Sequence, residues 1–202
     1  MSLEKLTIMT VRHGQTEFNK KKLMSGWSDI DLSPAGIAQL QERKKVTHYP
    51  KSDRYVSSAL KRTKQTFQIL FGEKEELYGS YEGFNEVYFG DIEAEPISEV
   101  AEVFYEGFLS EKPYKKGETL NQFKSRNLNQ LIECCDDLVA SGLSSLTIVS
   151  HSGTARVLDF IFNNKAIEDY RTPSMPNGLG HIFELEYDTV EKSFKLLNQQ
   201  AL

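Results

Sequence analysis

The chain has 202 residues, 39% of them hydrophobic and 26% charged, with a formal net charge of −5 at pH 7. That length suits one large domain, which can bury roughly 70% of the unfolded chain's surface without disulfides or metals. The negative balance gives no global attraction to nucleic acid or anionic membranes, and no apolar stretch approaches the ~20 residues of a membrane span.

The first predicted element is a strand at 7–12, the run Thr7-Ile8-Met9-Thr10-Val11 that ends in Arg12-His13-Gly14. A basic loop, Lys20-Lys21-Lys22, and a turn at Ser25-Gly26-Trp27-Ser28-Asp29 follow. Ser33-Pro34 opens a helix, with serine as N-cap and proline as first helical residue, that reaches about Val46. A strand at 54–58 feeds a helix at 59–71, stopped by Gly72. Residues 73–118 are acidic, rich in aromatics and irregular. Within them Ile97, Val100, Phe104 and Phe108 keep helical spacing, which predicts a helix over about 96–110. A long helix runs from Thr119 to about Ala140, before Gly142. A strand at 146–150 leads through His151 into a helix at 153–163. Two strands, about 181–187 and 193–197, close the chain as a hairpin around Asp188-Thr189.

Alternating strands and helices predict an α/β fold: a three-layer sandwich with a mostly parallel central sheet flanked by helices. One domain over 1–202 is expected, with 73–118 as an insertion or lid over the site. Cys134 and Cys135 are neighbours on a helix and point apart, so no disulfide is expected between them. That cysteine usage and the lack of a secretory pattern (Glu4 interrupts the N-terminus) predict a cytoplasmic protein. His48 and His181 match no motif.

The informative feature is that two strands each deliver a histidine, His13 and His151, at their carboxyl ends. Ligands of parallel sheets bind there, and the strand at 54–58 brings Arg62 to the same edge. A phosphoryl group needs positive charge around its oxygens, a nucleophile in line with the leaving oxygen, and a proton for the departing alcohol. Arginine's planar fork suits the first task, neutral imidazole the second and a protonated carboxyl the third.

The runs Arg12-His13-Gly14-Gln15-Thr16-Glu17-Phe18-Asn19, Ser25 to Gly36, Ser57 to Thr66, Asn85-Glu86-Val87-Tyr88-Phe89-Gly90, Gly117-Glu118-Thr119 and Val149-Ser150-His151-Ser152-Gly153 together resemble the histidine phosphatase superfamily. That superfamily includes the cofactor-dependent phosphoglycerate mutases, so the resemblance implies their fold. It also implies His13 as the nucleophile that becomes phosphohistidine, Glu86 as proton donor, and His151 as a third catalytic residue. Arg12, Arg62 and Asn19 are implied as phosphate-binding, with Gln15 and the Ser152 backbone N–H as further donors, and Ser25 and Gly26 on the substrate side. No metal is implied. Ser152 and Ala94 depart from the family pattern, both standing where members often carry glycine, and Glu82, Asp91 and Glu93 compete with Glu86 for its role.

The resemblance covers mutases and phosphatases alike. A short chain and Glu86-Val87-Tyr88-Phe89-Gly90, in place of a longer mutase stretch, favour a phosphomonoesterase of the histidine acid phosphatase type acting on a small phosphorylated metabolite. A phosphoglycerate mutase, using 2,3-bisphosphoglycerate as cofactor, is the alternative; a phospholigand-binding module without turnover is a third reading. Neither nucleic acid nor membrane is an expected partner. The oligomeric state, a homodimer among the options, stays open.

Overall fold

The computed structural model describes residues 3–166, 170 and 175–202. Six strands form one sheet: β1 (Leu3–Arg12), β2 (Arg54–Ser58), β3 (Gly79–Tyr81), β4 (Ser145–Ser150), β5 (Gly180–Asp188) and β6 (Ser193–Ala201). Their order is β3-β2-β4-β1-β5-β6. The first four are parallel, while β5 and β6 run antiparallel at one edge. Among the described residues six α-helices join them: α1 (Glu17–Lys21), α2 (Pro34–Val46), α3 (Lys61–Leu70), α4 (Ile97–Leu109), α5 (Leu120–Ala140) and α6 (Ser152–Phe162).

The layering follows from the two-residue period of a strand. Leu6 and Ile8 of β1, Val56 of β2 and Ile148 of β4 pack with Leu131, Leu138, Leu158 and Phe162 of α5 and α6. Their neighbours Met9, Val11, Tyr55 and Val149 point the other way, onto Leu40, Phe67 and Leu70 of α2 and α3. A third cluster, outside the sheet, joins Phe104 and Phe108 of α4 to Phe123 of α5 and to Val87, Phe89 and Ile92. This is the expected three-layer sandwich.

Caps fix the helix starts. Ser33 Oγ accepts from the Gly36 N–H, and Thr119 and Gln122 cap α5 reciprocally. The first N–H of α3 instead finds a partner far along the chain, Asp29 Oδ1 at 2.7 Å. The hairpin turn is held by Asp188 Oδ1, which accepts from the N–H groups of Val190 and Glu191.

Within 73–118 the structure departs from an irregular connection. Gly79–Tyr81 adds the edge strand β3 beside β2. It is three residues long and carries no β-branched side chain, so it leaves no strand pattern in the sequence. The lysine run is likewise not a loop throughout: Lys20 and Lys21 end α1, and all three lysines are exposed. Cys134 and Cys135 are free and buried.

Candidate active site

Parallel pairing of β1 and β4 sets Arg12 opposite Ser150, so the next residues of each strand, His13 and His151, leave the sheet side by side. The His13 N–H donates to the Ser150 carbonyl at 2.9 Å, and the imidazole centroids lie 5.1 Å apart. Register alone thus unites two histidines distant in sequence.

A pocket opens there, lined by Arg12, His13, Asn19, Leu23, Met24, Ser25, Gly26, Arg62, Glu86, Phe89, Ile97, Ala101 and Tyr105. His13 is 3% exposed. Its Nδ1 lies 2.6 Å from the Gly14 carbonyl oxygen, which can only accept; Nδ1 therefore carries the proton and the lone pair is on Nε2. The loop around it is pinned by Gly14 N–H donating to Thr66 Oγ1 and Asn177 Nδ2 donating to the His13 carbonyl. Burial, then the charges of Arg62 and Arg12, hold the His13 imidazole well below its ordinary range. Burial, Arg62 and His13 do the same to His151. Both rings are neutral near pH 7, the form a nucleophile needs.

Arg62, fully buried at the start of α3, donates Nη1 to the Ser28 carbonyl at 2.8 Å and Nη2 to the Gly26 carbonyl at 2.7 Å. Burial lowers it to about 10, and it stays charged. The turn that holds it depends on Gly26, whose φ of +43° and close contact with Glu93 leave no room for a side chain. Arg12 donates to the Met175 carbonyl. Among the described residues, neither Arg62 Nε nor His151 Nδ1, both buried, has a hydrogen-bond partner. Oxygens of an anion would satisfy such nitrogens. His151 Nε2 is 2.7 Å from Ser58 Oγ. His151 does not itself line the pocket.

Glu86 faces these cations across the pocket. Its Oε1 accepts from the Val87 N–H at 3.0 Å and its Oε2 from the Gly153 N–H at 3.1 Å, in the first turn of α6. A Cβ on Gly153 would stand 2.0 Å from Glu86 Oε1, so only glycine lets the carboxyl sit there. The competing acids are elsewhere. Glu93 is spent on the Trp27 N–H and Ser28 Oγ, Asp91 pairs with Lys116, and Glu82 is exposed.

Asn19, Ser25 and Gly26 line the pocket; Gln15 and Ser152 do not. The Gln15 carbonyl accepts from the Ser33 N–H and hydroxyl, which ties its backbone to the start of α2. The Ser152 hydroxyl is buried without a partner among the described residues. His48 and His181 lie outside the lining. Sequence reasoning missed the opposite wall. Ile97, Ala101 and Tyr105 recur every fourth residue along α4, a stripe beside the Phe104 and Phe108 positions that enter the core. The helical spacing is visible in the sequence, but it does not say which face of the helix meets a pocket. Phe89 and Tyr105 do both, packing with Phe104 and facing the pocket.

The ends of the strands thus gather two histidines, two arginines and a carboxyl. The profile of the histidine phosphatase superfamily (branch 1) matches residues 8–200. The chain belongs to that superfamily. It is 33% identical over 166 residues to a broad-specificity phosphatase of Saccharomyces cerevisiae, covering 76% of this chain and 68% of that protein. It is also 27% identical over 210 residues to a 2,3-bisphosphoglycerate-dependent phosphoglycerate mutase of a Bradyrhizobium species, covering 96% and 98%. Its fold is that of the α-ribazole phosphatase from Shigella flexneri, with a TM-score of 0.74, 22% identity and 95% of each chain covered. Among the described residues, no helix is long and apolar enough to cross a membrane.

Proposed function

We propose that the protein is a cytoplasmic phosphomonoesterase that passes the phosphoryl group of a small metabolite to His13 and then to water, without a metal or organic cofactor. The observation that carries this reading is the single pocket that gathers Arg12, His13, Arg62 and Glu86, with His13 held as its Nδ1–H tautomer. His13 Nε2 attacks phosphorus opposite the ester oxygen. The N–P bond forms as the P–O bond breaks, and Glu86 gives its proton to the departing oxygen. The carboxylate then takes a proton from water, whose oxygen attacks phosphorus; the N–P bond breaks and its electron pair returns to Nε2. Arg12 and Arg62 balance the phosphoryl charge that a divalent ion balances in other phosphatases.

The rest of the pocket favours hydrolysis over phosphoryl return. Leu23, Met24, Phe89, Ile97 and Ala101 give the leaving-group side an apolar wall. Among the described lining residues, the only lysine or arginine side chains are those of Arg12 and Arg62. A phosphoglycerate needs a further cation for its carboxylate, whereas an alcohol with an apolar face does not. The mutase reading is kept because the Bradyrhizobium relative aligns over nearly the full length of both chains.

Phosphate release from a panel of phosphomonoesters in EDTA should be run beside conversion of 3-phosphoglycerate to 2-phosphoglycerate primed with 2,3-bisphosphoglycerate. Efficient release is expected, lost by more than about 10⁴-fold in His13→Ala, with the fold retained. Fast isomerisation with little free phosphate would make the protein a mutase. No His13-dependent turnover of any ester would leave only a binding module.

A further inference from the structure

Beyond the turn at Glu82–Phe84, the segment that carries Glu86 lacks regular structure, yet one side chain grips its backbone. Arg126, on α5, donates Nη1 to the carbonyls of Glu82, Gly83 and Asn85 at 2.9, 2.9 and 3.1 Å. Its Nη2 donates to the Glu86 carbonyl at 3.1 Å. The other edge of the guanidinium belongs to Glu118: Nε to Oε1 at 2.8 Å and Nη2 to Oε2 at 2.9 Å. Glu118 in turn takes the Tyr88 N–H on Oε2 at 2.9 Å and donates its own N–H to the Tyr88 carbonyl at 2.8 Å. The chain is therefore fixed on both sides of Glu86, by four carbonyls up to it and by one residue two positions beyond.

Several features make this more than a surface ion pair. The two side chains are only 19% and 15% exposed, so solvent competes little for their hydrogen bonds. The guanidinium lies 5.4 Å from the Trp27 ring, and Trp27 Nε1 shares the Glu86 carbonyl at 2.8 Å. A fan of acceptors in several directions suits arginine, whose five donors lie in a rigid plane, and not lysine, whose ammonium is a point charge. The pair is neutral as a whole. Arg126 does not line the pocket.

We infer that Arg126, locked by Glu118, is a positioning residue for proton donation: it sets the backbone from which the Glu86 carboxyl reaches the leaving oxygen. This rests on the proton-donor role proposed for Glu86. Positioning matters because a small displacement of a catalytic group costs rate while the fold survives.

The test is leaving-group dependence in Arg126→Met, Arg126→Lys and Glu118→Gln. An alkyl phosphate needs its leaving oxygen protonated; p-nitrophenyl phosphate barely does. Arg126→Met should lower kcat about 30-fold or more on the alkyl ester and under about threefold on the aryl ester, with the other two variants between. Adding Arg126→Met to Glu86→Gln should cost nothing further on the alkyl ester beyond the loss in Glu86→Gln alone. Equal losses on both esters, in variants that still melt cooperatively, would reduce the pair to a general structural contact and overturn the inference. An unchanged ratio overturns it too. If Arg126→Met does not fold, the alkyl-to-aryl ratio in Glu118→Gln decides. Wild-type protein without His13-dependent turnover would overturn the reading of the pocket itself, whereas normal turnover with an unmoved ratio would sink the clamp alone.

Discussion

The two sides of the pocket are built differently. The proposed phosphate side consists of residues at the ends of β1, β2 and β4, nearly all buried, with its polar side chains tied to backbone: His13 to Gly14, and Arg62 to Gly26 and Ser28. The leaving-group side is made by α4 and the irregular stretch before it, with Ile97, Ala101 and Tyr105 partly open to solvent. The first side gains its precision from sheet register, which cannot slip by one residue without turning every side chain to the other face. The second owes its shape to packing on one helix, where a substitution changes a wall without moving the chemistry.

Glu86→Gln should separate the sides most sharply. It keeps the carboxamide near the Val87 and Gly153 N–H groups but removes the proton, so kcat on an alkyl phosphate should drop about 100-fold while p-nitrophenyl phosphate is nearly spared. Equal losses would mean that another group donates. On the opposite wall, Ala101→Phe should fill the centre of the α4 stripe. We expect kcat/KM for bulky aryl phosphates to fall about tenfold and that for methyl phosphate to stay. A loss on both would tie α4 to the phosphate side and erase the distinction.

The two buried histidines, His13 and His151, give the proposed phosphate side a pH signature. Folding holds both imidazoles well below their ordinary range, so in mildly acidic solution the unfolded chain binds protons that the folded chain does not. Stability should therefore be full above about pH 6.5 and decline below it, by at most about 1.4 kcal/mol per pH unit for each histidine. Denaturant midpoints between pH 7.5 and 5 should fall less steeply in His13→Ala than in wild type; parallel curves would contradict the neutral assignment of His13.

The smallest expected effect lies in the stretch before α4. Ala94 occupies φ +68°, at a position where the family often carries glycine. Ala94→Gly should relieve that strain and stabilise the fold by about 0.5–1 kcal/mol, less the added freedom of the unfolded chain, seen as a rise of about 2 °C in Tm. A fall in Tm would show that the surrounding contacts, including the Ala94 N–H to the Met24 carbonyl, already absorb the strain.

Local pattern was enough wherever a residue's role depends on its neighbours in sequence. The β-branched runs, the Ser33-Pro34 start, the Thr119 cap and the histidines at two strand ends each announce themselves within a few positions, and so do the three layers they build. Arg62 was legible because it follows a strand directly. What depends on contacts across the chain was not. Gln15 looks like a phosphate ligand in its motif, yet it does not line the pocket. Glu86 could not be told from Glu82, Asp91 or Glu93 until the Gly153 N–H, Arg126 and Trp27 showed where the loop is held. β3 exists because β2 offers it an edge, not because its own residues prefer a strand. The sequence by itself determined the elements and the chemistry they carry, since propensity and capping act over one or two turns. Only the tertiary structure decided which carboxyl faces the histidines and which helix face becomes the pocket wall, because those choices follow from long-range register and packing.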